Sequence, residues 1–119
     1  MSYDLAVWEG DRPADDEDGA KFYREHIVPR LESYDPGTPI PPTPRIRAYV
    51  QALLEHWPDL SEDLNGPWQV SPLMSSAIGS FIYFPMAWSM ADEASAFAAE
   101  VARQHGLVCY DPQQERLRI

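Results

Sequence analysis

The residues best suited to chemistry are few and scattered. The three histidines, His26, His56 and His105, lie far apart, and Cys109 is the single cysteine. Structural zinc needs four nitrogen or sulfur ligands at short spacings, which this set does not supply. The chain carries no glycine-rich phosphate loop, dinucleotide fingerprint, nucleophile elbow or HExxH pair. His105 and Cys109 are four residues apart, a spacing that invites a thiol–imidazole reading. However, His105 falls at a predicted helix end, where a cation suits the dipole. Cys109 lies in the apolar run Leu107–Tyr110 and reads as a small core residue. The sequence therefore predicts no catalytic residue, no metal and no cofactor.

Binding chemistry has better material. Asp15, Asp16, Glu17 and Asp18 are consecutive carboxylates. They lack the alternating spacing and the glycine of an EF-hand loop. As a solvated helix entry they need no function. As a recognition surface their mutual repulsion would be relieved by a cationic partner, which would also be steered toward them. Glu62, Asp63 and Trp68 lie in a second polar loop, and an aromatic ring beside acids is hot-spot material. A lid packed on its own domain is the other reading of Trp68. The candidate partner-binding set is thus Asp15, Asp16, Glu17, Asp18, Glu62, Asp63 and Trp68. Two alternatives stand beside it. Asp4, Glu9, Tyr110 and Asp111 fall at predicted strand ends, where α/β folds place chemistry, and form the enzyme alternative. The apolar stretch 77–88 or the C-terminus offers a self-association alternative, and the oligomeric state stays open.

Charge narrows the partners. There are 19 acidic residues against 9 basic ones, a net of −10, with 14 of the acids and 6 of the bases in residues 1–63. Such a chain is repelled by nucleic-acid phosphates and anionic membranes and attracted to basic proteins. No apolar stretch approaches a membrane span and no leader pattern opens the chain, so the cytoplasm is the expected location. An apolar share of 45% over 119 residues suits one domain with its own core.

The elements that must position these residues follow from periodicity. Residues 3–8 read as a strand ended by Glu9-Gly10. Tyr23, Ile27, Leu31 and Tyr34 make a helical stripe over 16–33, with Pro29 predicting a kink or a division into two short helices. Five prolines in residues 35–44 stiffen a loop. Thr43 then caps a helix over 44–57 carrying Ile46, Tyr49, Val50, Leu53, Leu54 and Trp57. A long connection spans 59–76. Residues 77–88 read as a strand. Ser89 and Asp92 resemble a capping box for a helix over 91–105, which Gly106 stops. Strands over 107–110 and 115–119 close the chain. The fold class is α/β: a sheet of three or four strands, with about three helices mainly on one face. The order is β-α-α-β-α-β, with a final strand where 115–119 pairs. The strand–helix–strand unit of 77–110 is expected to be a right-handed parallel crossover. Trp8, Trp57 and Trp88 are assigned to the core.

The opening Ser-Tyr-Asp-Leu-Ala-Val-Trp-Glu and the late Gly-Leu-Val-Cys-Tyr-Asp-Pro-Gln together resemble a group of small uncharacterised bacterial proteins. Members of that group are similar to immunity proteins of polymorphic toxin systems. The resemblance touches both ends of the chain through short structural motifs and transfers no catalytic residue. It implies an immunity-type protein, which together with the acidic charge gives the expectation of a module that neutralises a basic toxin or enzyme through an acidic surface. Eight arginines to one lysine fit a GC-rich bacterial gene.

Overall fold

Strand β1 (Ser2–Trp8) lies at the centre of the sheet. The computed structural model describes residues 2–62 and 64–118. Five strands follow the spatial order β2-β3-β1-β4-β5, where β2 is Ala77–Ile78, β3 Phe81–Ala87, β4 Val108–Asp111 and β5 Arg116–Arg118. Every neighbouring pair is antiparallel. β1 pairs with β3 along its whole length, from Ser2 opposite Ala87 to Trp8 opposite Phe81. The expected parallel crossover is therefore modified. β3 and β4 do run in the same direction, because both oppose β1, but β1 is inserted between them and removes any parallel pairing. The single strand expected over 77–88 is a hairpin: β2 turns into β3 at Gly79-Ser80. Gly79 sits at φ +56, a left-handed value that favours glycine.

Side chains alternate across the sheet and build two cores. Tyr3, Leu5 and Val7 face one way with Ile82, Phe84, Met86 and Cys109. That face is covered by α3 (Pro44–His56) and α4 (Ala91–Gln104). Ala6 and Trp8 face the other way with Phe81, Val108 and Tyr110. They meet Ala20 and Ile27 from the first helical segment, with Phe22, Tyr23 and Leu31 at its margin. Two of the three helical segments thus cover one face and the first covers the other, while the sheet has five strands where three or four were expected. A sheet with apolar residues at odd and even positions of β1 exposes a hydrophobic surface unless both sides are covered.

Local sequence explains each helix. In α3, Ile46, Tyr49, Val50 and Leu53 are fully buried, each stabilising by roughly 1.5–3 kcal/mol. Thr43 caps α3 by accepting from Ile46 N at 3.3 Å, with Pro44 at the first position. α4 presents Ala94, Ala98 and Ala102 inward, so its backbone lies close to the sheet. Its N-terminus differs from expectation. Trp88–Met90 forms a 3₁₀ turn ahead of the helix, Met90 is the cap residue, and no side chain caps it. Ser89 is inside that turn and exposed, so no capping box forms. The first helical segment is continuous but not uniform: α1 (Asp16–Phe22), a π turn (Tyr23–Ile27) and α2 (Val28–Glu32). Val28 N donates to Tyr23 O, a five-residue step. The widened turn stands immediately before Pro29, whose ring would crowd the Glu25 carbonyl in a regular helix.

Candidate functional site

The four consecutive carboxylates do not act as one group. Asp15 caps α1, its Oδ1 accepting from Asp18 N at 2.9 Å. Asp16 Oδ1 accepts from Leu117 N at 2.9 Å. Leu117 lies on β5, the outer strand of the sheet. Asp16 therefore occupies an N–H that would otherwise invite another strand. Glu17 and Asp18 are exposed, and neither carboxylate has a protein partner among the described residues. Glu62 is exposed in the connection after α3, and Asp63 lies outside the described residues.

Trp68 is not an anchor for a partner. It is 0% exposed, and its Nε1 donates to Trp57 O at 2.7 Å. Its backbone bridges Met86, and the flanking bonds Gln69 N to Pro85 O and Ala87 N to Pro67 O lay this segment along the free edge of β3. The edge needs cover, and the Trp68 ring fills the space beside Phe84, which is why the residue faces inward. The Trp68 segment covers β3, whereas Asp16 lies on β5 at the other side of the sheet. The two acidic loops are thus held against opposite edges. The exposed tryptophan is instead Trp88, at 54%, tilted against Tyr3 at 5.6 Å; this corrects its assignment to the core.

Two of the strand-end carboxylates do come together. Asp111 is fully buried. Its Oδ1 accepts from Gln113 N at 3.0 Å, Gln113 Nε2 at 2.8 Å and Gln114 N at 3.1 Å. Its Oδ2 accepts from the Tyr3 hydroxyl and from Arg118 at 3.3 Å. The Gln113 amide also pairs with Asp4 as a strand would, taking Asp4 N at 2.7 Å and donating to Asp4 O at 2.7 Å. Tyr83 donates to Asp4 Oδ2 at 2.7 Å. Burial first, and then the Asp111 contact, push the Tyr3 hydroxyl up to about 12. Burial and the Asp4 contact raise Tyr83 in the same way. Glu9 and Tyr110 are not part of this cluster. Glu9 accepts from the Thr43 hydroxyl and lies 3.9 Å from Arg45. Tyr110 packs against Trp8 and Tyr23. Asp111 has its oxygens saturated and no solvent contact, so it ties β1, β4 and β5 together and has no reach to a substrate.

A concavity lies elsewhere. A cavity of about 450 Å³ opens between the end of α2, the proline loop and the β2–β3 turn. Tyr34, Ile40, Ile78 and Phe81 supply its apolar walls, and Arg30 and Asp35 its charges. Asp35 spends its oxygens within its own loop, accepting from Gly37 N and Thr38 Oγ1, each at 2.9 Å. Those bonds hold its carboxyl below the usual carboxylate range. Arg30 makes no ion pair among the described residues.

No protein-family model matches the chain, and neither a curated protein nor a solved structure is similar to it.

Among the described residues no group of histidine, cysteine or carboxylate side chains is placed to hold a metal ion. Burial raises the Cys109 thiol to about 12, which leaves it protonated and inert. Sequence reasoning missed Arg30 and Tyr34 as cavity residues. The signal was present: the stiff loop 35–44 had to fold back on something, and the residues just before it line the resulting gap.

Proposed function

We propose that this chain is a non-catalytic binding module for a basic protein, acting as an immunity-type inhibitor of a toxin or enzyme. The observation that carries the reading is the state of the acidic surface. Three ion pairs occur among the described residues, and in one of them the buried Asp111 meets the partly buried Arg118. Most of the 19 acids are therefore uncompensated. Left alone, that charge costs self-repulsion, which a cationic partner relieves while gaining association rate. Enzymes acting on nucleic acid have cationic sites because their substrates are polyanions, so an acidic surface suits their inhibition. Glu17 and Asp18, free of structural duty, carry the contact on one side, and Glu62 offers a separate one.

The test is affinity capture from source-cell lysate at low and high salt, with wild type and an E17K/D18K variant. The expected result is one basic protein, held at low salt, weakened by salt and lost from the variant. Equal capture by the variant, or no retained protein, would reject this surface.

A further inference from the structure

We propose that the cavity beside Arg30 is a binding site for a small amphipathic anion, an apolar or aromatic body bearing one carboxylate. Its volume of about 450 Å³ falls in the range of small-molecule sites, roughly 300–1,000 Å³. The walls divide by chemistry. The exposed Ile40 and the half-buried Tyr34 offer apolar surface for the body of the ligand, over a lining to which the buried Ile78 and Phe81 contribute. Arg30 offers a planar guanidinium without an ion-pair partner among the described residues, suited to bidentate capture of a carboxylate. Asp35 keeps its negative charge, but each of its oxygens is held by a donor of its own loop, Gly37 N and Thr38 Oγ1, which fixes the carboxylate in place while the Arg30 side chain makes no hydrogen bond among the described residues. In a chain of net charge −10, a cation in the lining of this cavity with no ion pair among the described residues favours the charge opposite to that which the rest of the surface attracts.

The site is also preformed. Gly79 N donates to Ile40 O at 3.3 Å, and Thr43 N donates to Gly79 O at 2.9 Å. These bonds clip the proline loop to the β2–β3 turn. A Cβ at Gly79 would stand 3.2 Å from Ile40 Cγ2, so Ile40 rests directly on that turn. The prolines limit the loop's freedom, which lowers the ordering cost of binding. The cavity lies by the β2 side of the sheet, away from Glu17 and Asp18, and does not depend on the protein-binding reading.

Titration with 8-anilinonaphthalene-1-sulfonate, followed by its fluorescence, tests the site on the intact chain. Saturable binding at one site is expected. Arg30→Gln is expected to weaken it by about tenfold or more, roughly 1.4 kcal/mol. Arg24→Gln, on the same helical segment but outside the cavity, should leave it unchanged. 3-Phenylpropionate should displace the probe and 3-phenylpropylamine should not. Thermal melting of Arg30→Gln should match wild type, since Arg30 is exposed and makes no ion pair among the described residues. Unsaturable binding, wild-type affinity in Arg30→Gln, or displacement by the amine as effective as by the acid would each overturn the proposal.

Discussion

Replacing Trp68 by alanine separates a structural from a recognition role. The ring is fully buried, edge-on to Trp57 at 5.9 Å and to Phe84 at 5.8 Å. Truncating a buried tryptophan costs about 3–5 kcal/mol, combining lost transfer energy with an unfilled cavity. For a domain of this size each kcal/mol lowers Tm by about 3–6 °C, so the variant should melt roughly 10–30 °C below wild type. Trp68→Phe gives a graded version. It keeps much of the aromatic packing but leaves Trp57 O without its donor, an orphaned acceptor that costs about 1–3 kcal/mol. Trp88→Ala is the control, since that ring is half exposed and should cost less than about 1 kcal/mol. Thermal and urea denaturation followed by far-ultraviolet circular dichroism measures all three. If Trp68→Ala melts within about 2 °C of wild type, the residue does not hold the loop to the sheet. The account of the covered β3 edge would then be wrong.

Asp111→Asn should destabilise by about 3–5 kcal/mol, because Arg118 loses its buried counter-charge and the new amide turns donors toward donors. Tyr3→Phe should cost less, and the two changes should be non-additive in urea denaturation; additive effects would break the shared node. Stability should fall in alkali. Tyr3 and Cys109 are raised from 10.0 and 9.0 to about 12, so between those values the unfolded chain has released protons that the folded one keeps. The unfolded state then binds fewer protons and stability drops as pH rises from about 9 toward 12, while below 9 this contribution is complete. Flat stability over that window, measured alongside tyrosinate absorbance, would contradict it. Asp15→Ala should cost about 1 kcal/mol through loss of the α1 cap, while Glu17→Lys, in the first turn of the same helix, should cost less, about 0.3–1 kcal/mol. Reversing the whole 15–18 run should therefore lower Tm by more than changes at Glu17 and Asp18 alone.

Much of the fold was legible because local signals agreed with the packing. α3 is the clearest case: Thr43, Pro44 and a regular apolar stripe specify its start and its buried face. Gly106 at φ +69 stops the last helix as expected. Long-range strand pairing is the part that local signals do not carry. Nothing in residues 77–110 announces that the N-terminal strand will enter between their two strands. That choice depends on β1 having apolar residues on both faces, Leu5 and Val7 against Ala6 and Trp8. A strand of that kind is most stable at the centre of a covered sheet, and placing it there forces the first helical segment onto the face that α3 and α4 leave open.

The acidic run illustrates why a site is harder to read than a helix. Residue type gave Asp15, Asp16, Glu17 and Asp18 the same status, but a helix entry makes successive side chains diverge by roughly 100°. One carboxylate reaches back to an N–H of its own first turn, and the next reaches across to Leu117, about a hundred residues away in sequence. Only the remaining two face water unengaged. The second assignment cannot be made without knowing that β5 is an outer strand whose N–H groups need cover. Structural duty is therefore what divides the cluster. A partner that exploits it must read Glu17 and Asp18, since drawing Asp16 away would uncover the edge of the sheet.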